Sequence, residues 1–142
     1  MRRVFFAFAC VLAGCSNEVT TVDSPGHLEG ALTLRSGNCQ PVSPPCKVTP
    51  LPGVNVWLYE PVSADGNDIA YPDVSDLDPL YETRSDSDGH YVIDAPAGDY
   101  TVLVDDEGHP YAGSETGEVL RPAKIEKDKT TTLDLQINHA VE

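Results

Sequence analysis

The chain has 142 residues, which is room for one ordinary domain. Acids outnumber bases 23 to 9, for a formal net charge of −14. An acidic body repels nucleic acid and anionic headgroups, so attachment to either through a basic patch is excluded. Cations and basic protein surfaces remain as electrostatic partners, beside the plainer role of keeping a surface domain soluble.

Arg2 and Arg3 form a positive start, and Val4 to Leu12 is a compact apolar run. That run is too short for a membrane-spanning helix, which needs about 20 residues. Leu12-Ala13-Gly14-Cys15 follows, an aliphatic residue and two small ones before a cysteine. This resembles the bacterial lipobox. The resemblance implies that residues 1–14 are a lipoprotein signal peptide and that Cys15 carries a diacylglyceryl group and an N-acyl chain. One acyl chain holds a protein only marginally, at about 0.8 kcal/mol per buried methylene, whereas two or more anchor it stably. The membrane is then a partner through the lipid alone, and the address is the cell envelope. Ser16 follows the lipid site and points to the outer membrane if the cell is Gram-negative. Removing residues 1–14 leaves seven bases against 23 acids, a net charge of −16.

Residues 15–26 are the lipidated Cys and a polar tether ending in Pro25-Gly26. Such a segment reaches at most about 3.3–3.6 Å per residue. The remaining body, 27–142, is read as one domain.

Cys39 and Cys46 are the even pair left for an exported, oxidising compartment, where a disulfide is the default. It would close a ring holding three prolines and contribute roughly 2–3 kcal/mol. A metal or redox pair would need further ligands or a Cys-x-x-Cys spacing, which the sequence does not supply.

The body reads as strands. Leu28, Gly30, Leu32 and Leu34 alternate onto one face, as do Val54, Val56 and Leu58. Segments over 80–84, 90–94 and 99–104 follow, with Tyr100, Val102 and Val104 aligned. Glu118 to Arg121 and Thr131 to Asn138 complete about seven, the last aligning Leu133, Leu135 and Ile137. Period-two alternation broken by turn residues predicts an all-β antiparallel sandwich. Asp88-Gly89 supplies the left-handed conformation of a tight hairpin, and Ala95-Pro96-Ala97-Gly98 a second reversal, so residues 80–104 are expected to form a β-meander.

Three runs carry a family resemblance: Pro52-Gly53-Val54-Asn55-Val56, Thr83-Arg84-Ser85-Asp86-Ser87-Asp88-Gly89-His90-Tyr91, and Pro96-Ala97-Gly98-Asp99-Tyr100-Thr101-Val102. Together they look like the carboxypeptidase regulatory-like, transthyretin-like domain. The resemblance implies a Greek-key, prealbumin-like sandwich in an accessory, non-catalytic role. A related group of surface domains carries a Lys–Asn crosslink; here the first strand has no Lys, only Arg35 beyond it, so Asn138 lacks that partner.

Candidate sites are few. Asp86-Ser87-Asp88-Gly89 lacks the further oxygens of an EF-hand and reads as a turn. The long segment from Pro61 to Pro79 holds Asp65, Asp68, Asp73, Asp76 and Asp78 without a base. Two readings stand for it: a calcium site, the only cofactor suggested, or a solvated insertion. Trp57 and Tyr59 lie opposite the core face. With Tyr71 they are read either as a stacking platform for a sugar or protein edge, or as side chains covered by the long loop. His27, His90, His109 and His139 are isolated in sequence, and no catalytic motif surrounds a nucleophile. The sequence therefore predicts a lipid-anchored structural or protein-binding sandwich at the cell envelope, without enzymatic activity. Its partner is another envelope protein or a surface glycan, and the alternative is a carbohydrate- or calcium-binding module.

Overall fold

A computed structural model describes residues 24–40, 46–113 and 117–141. The expected signal peptide (1–14), Cys15 and residues 16–23 of the expected tether lie outside the described residues. Among those described, ten strands follow in order: β1 (Gly26–Asn38), β2 (Lys47–Pro50), β3 (Asn55–Tyr59), β4 (Tyr81–Arg84), β5 (His90–Ala95), β6 (Gly98–Asp106), β7 (His109–Tyr111), β8 (Pro122–Ile125), β9 (Thr130–Thr132) and β10 (Leu135–Val141). They form two five-stranded sheets packed as a sandwich, so the all-β class expected from the alternation holds.

Each sheet is organised by one long strand that changes neighbours halfway. In the first sheet β1 pairs antiparallel with β5 over Gly26–Ala31 and with β2 over Thr33–Ser36. On its other side it pairs parallel with β9 and then with β10. In the second sheet β6 lies beside β3, and along its other edge it pairs with β8 and then β7. β4 closes the far side of β3.

The core lies between the sheets. Leu28, Leu32, Val56, Leu58, Val102 and Ile137 are all buried in it, and burying each such side chain contributes roughly 1.5–3 kcal/mol. The alternating residues named from the sequence face inward as expected. Leu34, Val54 and Leu133 are only partly buried.

Three features differ from the sequence reading. First, residues 80–104 are not a meander: β5 belongs to the first sheet, β4 and β6 to the second. Both turns carry the chain across the core. The turn chemistry dictates a reversal but not a pairing partner. Here Leu32 N donates to Gly89 O at 2.7 Å, which draws the chain after the turn onto β1. Gly89 has φ +80° and a Cβ there would lie 2.7 Å from Leu32 O, so the contact requires glycine. Second, the apolar run near the end is two strands. Leu133 N bonds Glu29 O, and the Asp134 side chain accepts from Ala31 N at 2.9 Å, replacing one rung of the ladder. Tyr91 reaches beneath β1 to donate its hydroxyl to Leu133 O. Third, Glu118 to Arg121 contributes only one bridge, Val119 to Ser63, and the strand begins at Pro122.

The long loop is a covering layer. Val62 and Val74 join Tyr59, Leu103, Ala112 and Leu120 in a second apolar cluster on the outer face of the second sheet. This explains why Val102 and Leu103, on opposite faces of β6, are both buried. Thr101 pins the layer: its hydroxyl accepts from Val62 N at 2.9 Å and donates to Leu120 O at 2.8 Å in a fully buried position.

Two measurements check this architecture. Thr101→Val leaves two buried backbone groups unpaired, at about 1–3 kcal/mol each, and urea unfolding is expected to show a loss of that order without a change of fold. Gly30→Ala places a Cβ 2.0 Å from Leu133 O, and overpacking against backbone is expected to cost about 3 kcal/mol. Gly108→Ala, with φ +90° but open space around it, is expected to cost only about 1 kcal/mol. Equal losses at both glycines would contradict the packing described.

Candidate functional site

The polar site assembles at the end of the sandwich where β6 turns into β7. Asp106 and His109 close a two-residue hairpin whose central residues, Glu107 and Gly108, both have left-handed backbone, φ 52° and 90°. This is the hairpin geometry that matches strand twist, and glutamate is an uncommon occupant of it. Gly108 N donates to Asp105 Oδ1 at 2.7 Å and fixes the turn.

Asp106 is 6% exposed. Its Oδ2 accepts from the Tyr71 hydroxyl at 2.6 Å and from His139 Nε2 at 2.8 Å. An ionised carboxylate only accepts, so Nε2 of His139 carries the hydrogen. One oxygen thus joins three distant segments: the loop after β3, the end of β6, and β10. Tyr71 is positioned by its own loop. Asp68 Oδ1 accepts from Ala70 N and Tyr71 N at 2.9 and 3.0 Å, and Ala112 N donates to Ala70 O at 2.8 Å. Its ring packs against Tyr111, centroids 5.1 Å apart at 60°. The hydrogen bond to Asp106 is the main cause that pushes the Tyr71 phenol up to about 12, with burial adding to it. Tyr71, Asp106, Glu107, His109 and His139 line a shallow open depression. On the inner side of the Asp106–His139 pair, Leu34, Leu51, Val54 and Ile137 line a second opening between the sheets.

The residues singled out from sequence fall as follows. Cys15 lies outside the described residues. Cys39 and Cys46 are bonded, with Cα atoms 5.0 Å apart. Trp57, Tyr59 and Tyr71 do not form one platform. Tyr59 is 5% exposed and Trp57 half-buried, both in the second cluster beneath the loop, while Tyr71 sits apart against Tyr111. The loop has enough apolar residues of its own to cover the outward face of β3. Burial, then the charge of Asp78, holds the Tyr59 phenol above its usual range.

The five loop acids are spread out rather than gathered. Among the described residues no three His, Cys, Asp or Glu side chains are grouped to hold a metal ion. Asp68 caps the turn into Tyr71, and Asp73 accepts from both Ser75 N and Ser75 Oγ, which holds its carboxyl below the usual range. Asp65, Asp76 and Asp78 are exposed. In the turn before β5, Asp86 Oδ1 accepts from Asp88 N and His90 N, and these backbone donors lower its carboxyl too. Asp106, Glu107 and the two histidines were not legible as a group: Asp106 is 35 residues from Tyr71 and 33 from His139.

No family model matches the chain, and no curated protein matches it in sequence. Among solved structures it is similar to a minor pilin of the Gram-positive pathogen Streptococcus agalactiae, at 24% identity and a TM-score of 0.46, over 82% of this chain. The chain spans 45% of that pilin's length. It is also similar to a candidate carbohydrate-binding protein from Pseudomonas aeruginosa, at 15% identity and a TM-score of 0.41, over 81% of this chain and 90% of the other.

A spectroscopic titration tests the carboxylate at the centre of the site. Tyr71 is expected to ionise near pH 12, and Asp106→Asn to return it toward the ordinary value of about 10. The folded phenol is raised, so its stabilising contribution is complete below the unfolded value and disappears as pH rises from about 10 through 12. An absorbance titration at the phenolate band in which Asp106→Asn shifts no tyrosine would refute the bond.

Proposed function

We propose that the protein is a lipid-anchored module of the cell envelope, in which a non-catalytic β-sandwich serves as a structural or protein-binding accessory. The observation that carries this reading is Leu12-Ala13-Gly14-Cys15, directly after a short apolar run with Arg2-Arg3 before it. Export and lipidation explain why a cysteine stands at that point, and they agree with the Cys39–Cys46 bond, which suits an oxidising compartment. The family resemblance of Pro52 to Val56, Asp86 to Tyr91 and Pro96 to Val102 supports the accessory role.

The anchor defines which end of the domain is near the membrane. β1 begins at Gly26, eleven residues after Cys15, so the tether reaches at most about 40 Å at 3.3–3.6 Å per residue. Ser36, ten residues further along β1, is the register partner of His139. At about 3.3 Å per residue the polar site lies about 33 Å along the strand from the tether's attachment. The lipid is joined at the Gly26 end, and the Asp106 end is the one distal to that attachment.

The test is chemical and cellular. Intact mass of protein extracted from native membranes is expected to begin at a modified Cys15, and Cys15→Ser to leave the protein in the soluble fraction. Recovery of an unmodified chain starting at Met1 would defeat the proposal.

A further inference from the structure

We infer that the depression formed by Tyr71, Asp106, Glu107, His109 and His139 is a saccharide-binding site, taking one or a few neutral sugar units of a longer glycan chain. The placement of this site distal to a membrane anchor rests on the anchored reading given above; its chemistry does not. Sugar hydroxyls donate and accept at once, and the depression offers both kinds of partner. Glu107 supplies carboxylate acceptors, His109 a ring that can donate and accept, and His139 its remaining ring nitrogen, Nδ1. Tyr71, an exposed residue, adds an aromatic ring, the kind of surface against which the apolar face of a sugar packs.

Three physical details favour a neutral saccharide over a simple cation. The charge of Asp106 is already engaged by His139 and by the Tyr71 hydroxyl on one oxygen, so the buried carboxylate does not face outward as a lone anion. The Tyr71 ring is held at both ends before any ligand arrives, through its backbone on Asp68 and its hydroxyl on Asp106. Little side-chain freedom is then lost on binding, which is the condition under which a small, weak contact surface still yields measurable affinity. The depression is also shallow, unlike the enclosed cavities that bury most of a small metabolite. A chain passing across the end of the sandwich fits it better than a molecule swallowed whole. Glu107, strained into the left-handed region, is held by the hairpin at the rim of this surface.

The experiment uses the complete chain purified in detergent and follows backbone and imidazole NMR signals. The probes are chitotetraose, maltotetraose, mannotetraose and, as a cationic control, pentalysine. At least one tetrasaccharide is expected to give saturable shifts confined to Tyr71, Glu107, His109 and His139, with none from pentalysine. Tyr71→Ala is expected to weaken that binding at least tenfold. Glu107→Gln, which leaves every hydrogen bond of the fold described above in place, is expected to weaken it about threefold with an unchanged urea midpoint. Absence of shifts with all three sugars overturns the inference, as do shifts that survive both substitutions or binding by pentalysine alone. The measurement needs no lipid on Cys15, so a failed anchor and a failed sugar site are read separately.

Discussion

The sandwich depends on the close approach of Leu133 to Gly30. The Leu133 carbonyl sits where a side chain at residue 30 would be, and Tyr91 donates to it from the opposite side of the strand. That approach breaks the C-terminal segment into β9 and β10 while keeping both parallel to β1. A glycine in mid-strand is costly in isolation, because it packs nothing and loses much freedom on folding. Here it lets one strand of thirteen residues hold four others. β1 is therefore long enough to connect the Gly26 end to the polar end as a single stiff element.

The same side of the sheet is partly protected against strand addition. β10 is an edge, and an unpaired edge of seven residues offers itself to other chains. Two of its outer N–H groups are met by side chains: Tyr111 Oη accepts from Asn138 N at 3.4 Å, and Asn138 Oδ1 accepts from Ala140 N at 3.1 Å. Asn138, set beside Arg35 in the register, thus works as an edge cap.

Much of the fold was legible because burial imposes period two. Leu28, Leu32, Val56, Leu58, Tyr100, Val102, Leu135 and Ile137 were all identified from alternation and all face the core. Pairing was not legible. Gly89 announces a reversal, but only its contact with Leu32 decides that β5 crosses to the other sheet. The short strands β2 and β7 carry proline and exposed residues, so they lack the alternation that marks longer ones. At the site, Tyr71 was noticed for its type and grouped with Trp57 and Tyr59. Trp57 and Tyr59 share its chemistry, but the loop that carries Tyr71 covers them and delivers Tyr71 to Asp106 instead. Nothing local in the sequence marks Asp106, whose partners arrive through long-range pairing.

That long-range pairing gives Asp106 a role beyond the depression it lines. A carboxylate 6% exposed is expensive to bury unless its oxygens are met by donors. Tyr71 and His139 meet one of them from two different layers, the covering loop and the first sheet, while Asp106 itself belongs to the second sheet. All three layers thus converge on a single atom at the end of the molecule furthest along β1 from Gly26. Loss of the carboxylate would free the loop tip and the end of β10 together, so the covering layer and the β10 edge are coupled there. Thr101 fixes the other part of the same loop five residues earlier on β6. A loop held at two points of one strand, with its apolar residues buried between them, is a rigid support for the ring it presents.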